Sequence, residues 1–269
     1  MRLRISHHTV YDYARPVRFG VQSLRLVPSV FDGQKVIEWT AELEGARPGA
    51  GFRDGAGDWV QGWTIRGPVD RLAVRIEGVV ETTDLAGVLR GHREAIHPMV
   101  YLKTTPATRP DDAITDLAHG PGQGLAALDL AHELAGAVAA AITYTPGATG
   151  LQTPAAEALA QGAGVCQDHA HVLIAAARAR GLPARYVSGY LHADAEGGVH
   201  EAAHAWAEVF IDRLGWVGFD AANRCCPDDL YVRTCSGLDA RDAAPIRGVT
   251  LMGGAERLDV TVAVERVDA

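Results

Sequence analysis

No run of apolar residues in this chain approaches the roughly 20 that a membrane span requires. Even Leu134 to Ile142 is short and alanine-rich. The N-terminus, Met1-Arg2-Leu3-Arg4-Ile5-Ser6-His7-His8, lacks the apolar core of a secretory signal, so a cytoplasmic protein is expected. Cysteine is scarce too. Four in 269 residues do not make a disulfide scaffold, and Cys225, Cys226 and Cys235 read as reduced thiols. Adjacent Cys225-Cys226, with Cys235 further on, also misses the C-x-x-C spacing of structural zinc sites. Positive charge is in deficit, since 25 Lys and Arg face 33 Asp and Glu for a formal net charge of -8. That balance argues against nucleic acid or an anionic membrane as the main partner. There is no EF-hand loop for calcium and no internal repeat, and the sequence calls for no metal or cofactor.

What is present suits a globular protein, with 48% hydrophobic and 22% charged residues and enough length for one large or two modest domains. Residues 1–85 read as a small β domain. Arg2 to Val10, Val21 to Val27, Val36 to Leu43 and Leu72 to Val80 alternate apolar and polar residues, with turn clusters at Pro28-Ser29, Phe31-Asp32-Gly33, Arg47-Pro48-Gly49 and Asp54 to Asp58. Trp39, Trp59 and Trp63 read as core or interface anchors. Residues 86–110, broken at His97-Pro98 and Thr104-Thr105-Pro106, read as a linker.

Residues 111–269 mix both periods. Helices are predicted over Asp111 to Ala118 and Leu125 to Ile142, and from an N-cap at Thr153 with Pro154 and Glu157 behind it to about Gln161. Strands are predicted over Ala184 to Leu191, His204 to Ile211 and Gly215 to Asp220, with weaker ones at Leu230 to Thr234, Val249 to Met252 and Leu258 to Val267.

Between them lies Gly164-Val165-Cys166-Gln167-Asp168-His169-Ala170-His171, where Gly162 and Gly164 precede a helical run that Gly181-Leu182-Pro183 stops. Cys166 falls on the first turn. Unpaired backbone N–H groups there favour a thiolate and can donate to an oxyanion. On its own such a cysteine is more simply a small core residue. A nucleophile also needs a base, and the base needs an acceptor for its other nitrogen. His204 opens one predicted strand and Asp220 closes the next, so antiparallel neighbours would bring the two within hydrogen-bond reach.

The Cys166 block, Gly181-Leu182-Pro183-Ala184-Arg185-Tyr186-Val187-Ser188-Gly189-Tyr190, His204-Ala205-Trp206-Ala207-Glu208-Val209 and Gly215-Trp216-Val217-Gly218-Phe219-Asp220 together resemble the core of the bacterial transglutaminase-like superfamily. Tyr11-Asp12-Tyr13, Pro16-Val17 and Leu24-Arg25-Leu26-Val27-Pro28 resemble the β domain that often precedes that core. The resemblance implies an α+β fold with a papain-like catalytic core, in which the helix bearing Cys166 packs on an antiparallel sheet. It implies Cys166 as nucleophile, His204 as base and Asp220 as the histidine's partner. Two positions depart from the family pattern: Ala221-Ala222-Asn223 stands for Pro-Thr-Asn, and Gly237-Leu238-Asp239-Ala240 for Gly-Arg-Asp-Tyr. Both bear on the shape of the substrate cleft.

A rival pattern overlaps the same histidine. His200-Glu201-Ala202-Ala203-His204 matches H-E-x-x-H, with Glu208 as a third zinc ligand, but that motif works only on a helix. Gly197-Gly198 before it and strand-like alternation after it argue against a helix. Asp168 is expected to support the helix N-terminus rather than hold a substrate amine, and His169 and His171 to be structural. Trp206 is expected beneath His204 and Asn223 as an anchor for the loop after Asp220, while Arg185 and Tyr190 either line the cleft or finish a strand. Gln161, Gln167 and Tyr144 are the candidates for a second oxyanion donor.

The expected activity is thiol-dependent acyl transfer through a thioester, most simply hydrolysis of a peptide, isopeptide or side-chain amide bond in a protein or peptide substrate. The alternatives, in order, are an amine-incorporating transglutaminase, a catalytically silent binding module and a zinc peptidase. Self-association is left open by the sequence.

Overall fold

The computed structural model describes residues 1–122, 124–192, 203–251 and 253–267. Four strands come first: β1 (Arg2–Leu24), β2 (Gln34–Glu44), β3 (Ala46–Arg53) and β4 (Trp59–Thr82). β1 and β4 run antiparallel, with Leu3 opposite Val80, His7 opposite Ile76 and Thr9 opposite Val74. Alternate residues turn to one face and bury Leu3, Ile5, Leu72, Val74, Ile76 and Val80. Both strands run well past the segments predicted for them. β3 occupies residues expected to hold a turn; it is an exposed strand paired only with β4, where Pro48 is tolerated and no apolar alternation is needed.

Residues 86–110, expected as a linker, are pinned to the second half of the chain. Val88 bridges Val217, Leu89 donates to the Trp216 carbonyl at 2.9 Å, and two short 3-10 turns follow at Pro98–Leu102 and Pro106–Thr108. Backbone pairing and ion pairs hold this segment, so it shows no hydrophobic period. Helix α1 (Asp112–His119) begins where the Asp111 carboxylate caps the Ile114 N–H at 2.9 Å. Helix α2 (Ala127–Ala141) buries Ala131, Leu134 and Val138. The two-residue strand β5 (Thr143–Tyr144) follows, then helix α3 (Ala155–Gln161) and strand β6 (Ala163–Gly164), which pairs with β5. The α3 N-cap is Pro154 and not Thr153, because the Thr153 hydroxyl is engaged by the Gly150 N–H at 3.0 Å in the preceding turn.

Helix α4 (Cys166–Ala179) is buried on nearly every side, as a helix wrapped by other elements must be. The other three helices lie against it on one side and a sheet on the other. It stops at Gly181, whose φ of 76° only glycine adopts without strain. The sheet comprises β7 (Ala184–Leu191), β8 (Ala203–Ile211), β9 (Gly215–Phe219) and β10 (Tyr231–Gly237), in the order β10-β7-β8-β9 and antiparallel throughout.

The tail does not stay with the half of the chain that holds Cys166, to which residues 111–269 were expected to belong. β11 (Ile246–Leu251) and β12 (Glu256–Arg266) both pair with β1, Val21 facing Val249 and His7 facing Val262. β4 covers one edge of β1, and the tail satisfies the backbone groups of the other.

The two sheets are joined by buried polar groups. Tyr190 and Val232 pack into the core of the N-terminal sheet, and the Tyr190 hydroxyl meets His7 Nδ1 at 2.8 Å. A line of charges runs from Glu94 through Arg185, Glu208 and Arg233 to Asp58, with Arg25 and Asp54 beyond. Arg185 thus neither lines the cleft nor merely ends a strand: it is fully buried, bonded to Glu208 at 2.6 Å and seated 4.0 Å from the Trp216 ring. Burial would raise the Glu208 carboxyl, but Arg233 and Arg185 outweigh it and hold it at about 2.

Arg233→Ala leaves Glu208 and Asp58 buried without their shared cation and is expected to cost ~3–5 kcal/mol in urea unfolding at neutral pH. A loss below ~1 kcal/mol would mean that the network adds nothing net. Because the folded value of Glu208 is depressed, its contribution is complete above about pH 4.5 and is lost as pH falls toward about 2. Unfolding of wild type and Glu208→Gln should therefore converge only in strong acid.

Candidate active site

Cys166 is the first residue of α4, half-buried, in the turn whose backbone N–H groups have no partner within the helix. The start of that helix is held from below. Asp168 Oδ2 accepts the Val165 N–H at 2.8 Å and the Thr149 hydroxyl at 2.5 Å, and the side chain is buried. A Cβ on Gly164 would lie 2.7 Å from Asp168, so this position admits only glycine beside that carboxylate. Asp168 therefore serves as a helix support.

In the β8–β9 pair Ala207 faces Phe219, which sets the start of β8 beside the end of β9. His204 Nε2 donates to Asp220 Oδ2 at 2.6 Å. The Cys166 thiol is near enough to act on the same ring, whose Nδ1 is the nitrogen that Asp220 does not engage. Burial pulls this histidine down, yet the bonds and charges of Asp220 and Cys166 outweigh burial and lift it to about 10. The ring is an imidazolium at neutral pH. Asp220 is itself buried, which disfavours its charge, but His204, Asn223 and Tyr231 more than compensate and hold it below its ordinary value. The Asn223 side-chain N–H donates to Oδ2 at 2.7 Å, its backbone N–H to Oδ1 at 3.2 Å, and the Tyr231 hydroxyl to Oδ2 at 2.8 Å.

The remaining candidates fall into two groups. Trp206 stacks near His204 with ring centroids 6.4 Å apart, and Tyr144 sits in the strand that pairs with Gly164, two residues before Cys166. Gln167 faces a cleft of about 610 Å³ lined also by Leu151, His171, Tyr186 and Asp239, and its amide reaches the Leu151 carbonyl at 3.4 Å. Gln161, by contrast, turns back onto Glu157 of its own helix at 3.1 Å and makes no bond toward Cys166. His169 places both ring nitrogens on backbone carbonyls, of Val165 and Ile142. His171 is pushed down to about 4 by burial, is neutral, and accepts the Ala240 N–H at 3.0 Å. Of the zinc pattern, His200, Glu201 and Ala202 lie outside the described residues, while Ala203 and His204 open an extended strand. Tyr231 was not singled out from sequence; it begins a strand with only a weak period, and nothing local marks its partner eleven residues earlier.

Cys166 thus opens a helix, His204 opens a strand packed on that helix, and Asp220 follows directly on the next strand. Comparison with known proteins narrows the class. Residues 3–81 match the bacterial transglutaminase-like N-terminal region and residues 115–221 the transglutaminase-like superfamily core. An uncharacterized protein of Mycobacterium leprae is 32% identical over 283 residues, covering 99% of each chain. Another, of Mycobacterium bovis, is 28% identical over 275 residues, covering 92% of this chain and 87% of that one. The crystal structure of a candidate cysteine protease from Cytophaga hutchinsonii superposes with a TM-score of 0.72 at 21% identity, covering 100% of this chain and 92% of that chain, and shares the fold. The chain belongs to the transglutaminase-like superfamily. Among the described residues no helix is long and apolar enough to cross a membrane.

Nitrogen NMR of the His204 ring should find it protonated through neutral pH, losing its proton near pH 10, with Asp220→Asn bringing the midpoint down toward 6.5. The raised folded value means that the pair stabilises the fold in full below about pH 6.5 and loses that contribution as pH rises through about 10. A wild-type midpoint near 6.5 would refute the ion-paired site.

Proposed function

We propose that the protein catalyses thiol-dependent acyl transfer, hydrolysing a peptide, isopeptide or side-chain amide bond of a protein or peptide substrate. The observation that carries this reading is the single imidazole bonded to Asp220 at 2.6 Å and raised by both Asp220 and Cys166. Family membership is consistent with cysteine-dependent chemistry.

The Cys166 sulfur attacks the amide carbonyl carbon and its lone pair forms the C–S bond while the carbonyl π electrons move to oxygen. The Cys166 backbone N–H, at the positive end of α4, faces the developing oxyanion. Collapse breaks the C–N bond, and the proton on His204 goes to the departing amine or ammonia. His204, now neutral, takes a proton from water as that water attacks the thioester. The C–S bond breaks, the acid leaves, and the thiolate–imidazolium pair is restored. Asp220 keeps its negative charge throughout and orients the ring. Water is the simplest acceptor because it needs no second binding site, whereas amine incorporation does.

Incubation with a peptide library should release free acids, and Cys166→Ala should reduce the rate to background while His204→Ala lowers it at least about 10³-fold. Mass spectrometry of quenched wild type should show an acyl adduct on Cys166. Incorporation of an added primary amine in place of water would overturn the hydrolytic assignment. Retention of cleavage in Cys166→Ala would overturn the acyl-transfer reading altogether.

A further inference from the structure

We propose that Tyr231 is a positioning residue of this site, its hydroxyl holding the Asp220 carboxylate in the orientation that accepts from His204, and that strand β10 anchors this hold on the N-terminal sheet. The proposal rests on the acyl-transfer reading for its purpose, though not for its test.

Three side-chain donors converge on Asp220 Oδ2, and they come from different places. His204 arrives from β8 at 2.6 Å, Asn223 from the turn that Asp220 itself begins at 2.7 Å, and Tyr231 from β10 at 2.8 Å. Asn223 moves with Asp220, because only three residues separate them. His204 is the group to be oriented and cannot also be the reference. Tyr231 alone ties the carboxylate to an element outside both. Its hydroxyl proton points at a carboxylate that can only accept, so its oxygen is left to receive the Cys225 thiol at 3.3 Å. Its ring is fixed as well, buried edge-on against Trp206 at 5.5 Å, which in turn stacks near His204.

What fixes Tyr231 lies two residues along the same strand. The Arg233 backbone is bracketed by the Gln34 amide, which accepts its N–H and donates to its carbonyl, each at 2.8 Å. The Arg233 guanidinium bonds Asp58 at 2.9 Å and Ser29 at 2.6 Å. Gln34, Ser29 and Asp58 all belong to the N-terminal region. β10 is thus gripped by the N-terminal region at Arg233, Thr234 and Ser236 and grips the carboxylate through Tyr231, which gives that region a part in the chemistry without touching substrate.

Tyr231→Phe removes one oxygen and keeps the ring. Two readouts need no substrate, so their outcome is separate from that of the cleavage assays: iodoacetamide alkylation of Cys166, resolved from Cys225 and Cys226 by peptide mass spectrometry, and carbon NMR titration of the Asp220 carboxyl. Alkylation at neutral pH should slow about tenfold, as expected for loss of an outer hydrogen-bond partner. The Asp220 midpoint should move up, and the His204 Nε2 proton signal should broaden through exchange. Incorporated 3-fluorotyrosine, a stronger donor of nearly the same shape, should move the Asp220 midpoint down. An unchanged alkylation rate and Asp220 midpoint in Tyr231→Phe, with only a lower unfolding temperature, would show Tyr231 to be a core residue and overturn the proposal. An unmoved midpoint with 3-fluorotyrosine would overturn it as well.

Discussion

The arginine at position 233 is the point on which the molecule turns. It sits on the edge strand of the second sheet, ion-paired at 2.9 Å both to Glu208 on β8 and to Asp58 from the turn between β3 and β4. Glu208 passes the charge to Arg185 on β7, and Arg185 passes it to Glu94 in the segment that connects the two halves. Five separate stretches of chain are therefore fixed relative to one another by buried cations. Burial makes each ion costly alone and tolerable only together, so removing one strands the others. The histidine four residues before Glu208 inherits that rigidity, and so does the tyrosine two before Arg233.

The Cys166 end of the site is built by different means. The helix start is set by a carboxylate that faces inward, Asp168, accepting from the backbone just before the cysteine, in room that exists only because residue 164 has no side chain. Cys166 thereby stands at the positive end of the helix dipole. Cys166 is placed by packing and His204 by electrostatics, and they meet where α4 lies on β8.

Much of this was legible in the chain. The Cys166 helix, the strands at 184–191 and 204–211 and the hairpin that joins the second of these to the strand at 215–220 followed from periodicity and from the breaks at Gly181-Leu182-Pro183 and Asp212-Arg213-Leu214, because these elements bury whole faces. His204 and Asp220 stood at the ends of strands whose hairpin turn was visible. What stayed hidden has a common cause. Arg185 read as a cleft or strand-end residue because its counter-ions, Glu94 and Glu208, are 91 and 23 residues away. Tyr231 and the return of the tail to β1 were hidden likewise, since alternation shows a strand but not its neighbour. β3 carried no pattern because it buries almost nothing. Local order announces itself through apolar period, whereas polar partnerships across the fold leave no local trace.

That division bears on why the buried charges are there at all. Apolar side chains of similar size would often give equal or greater stability, so depth of the energy well is a poor reason for an ionic core. Register is a better one. β10 pairs with β7 through an irregularity between Arg233 and Cys235, so its ladder does not by itself fix which residues face inward. A slip of one residue would carry Tyr231 away from Asp220 and turn the guanidinium out of reach of Glu208 and Asp58 together. A leucine at 233 would tolerate that slip, since apolar contact is non-directional. An arginine with two fixed carboxylates does not, because the slipped state leaves the guanidinium without either counter-ion and takes from Glu208 and Asp58 the cation they share. The network discriminates against the near-native arrangement in which the strand is present but the carboxylate behind His204 is no longer aimed.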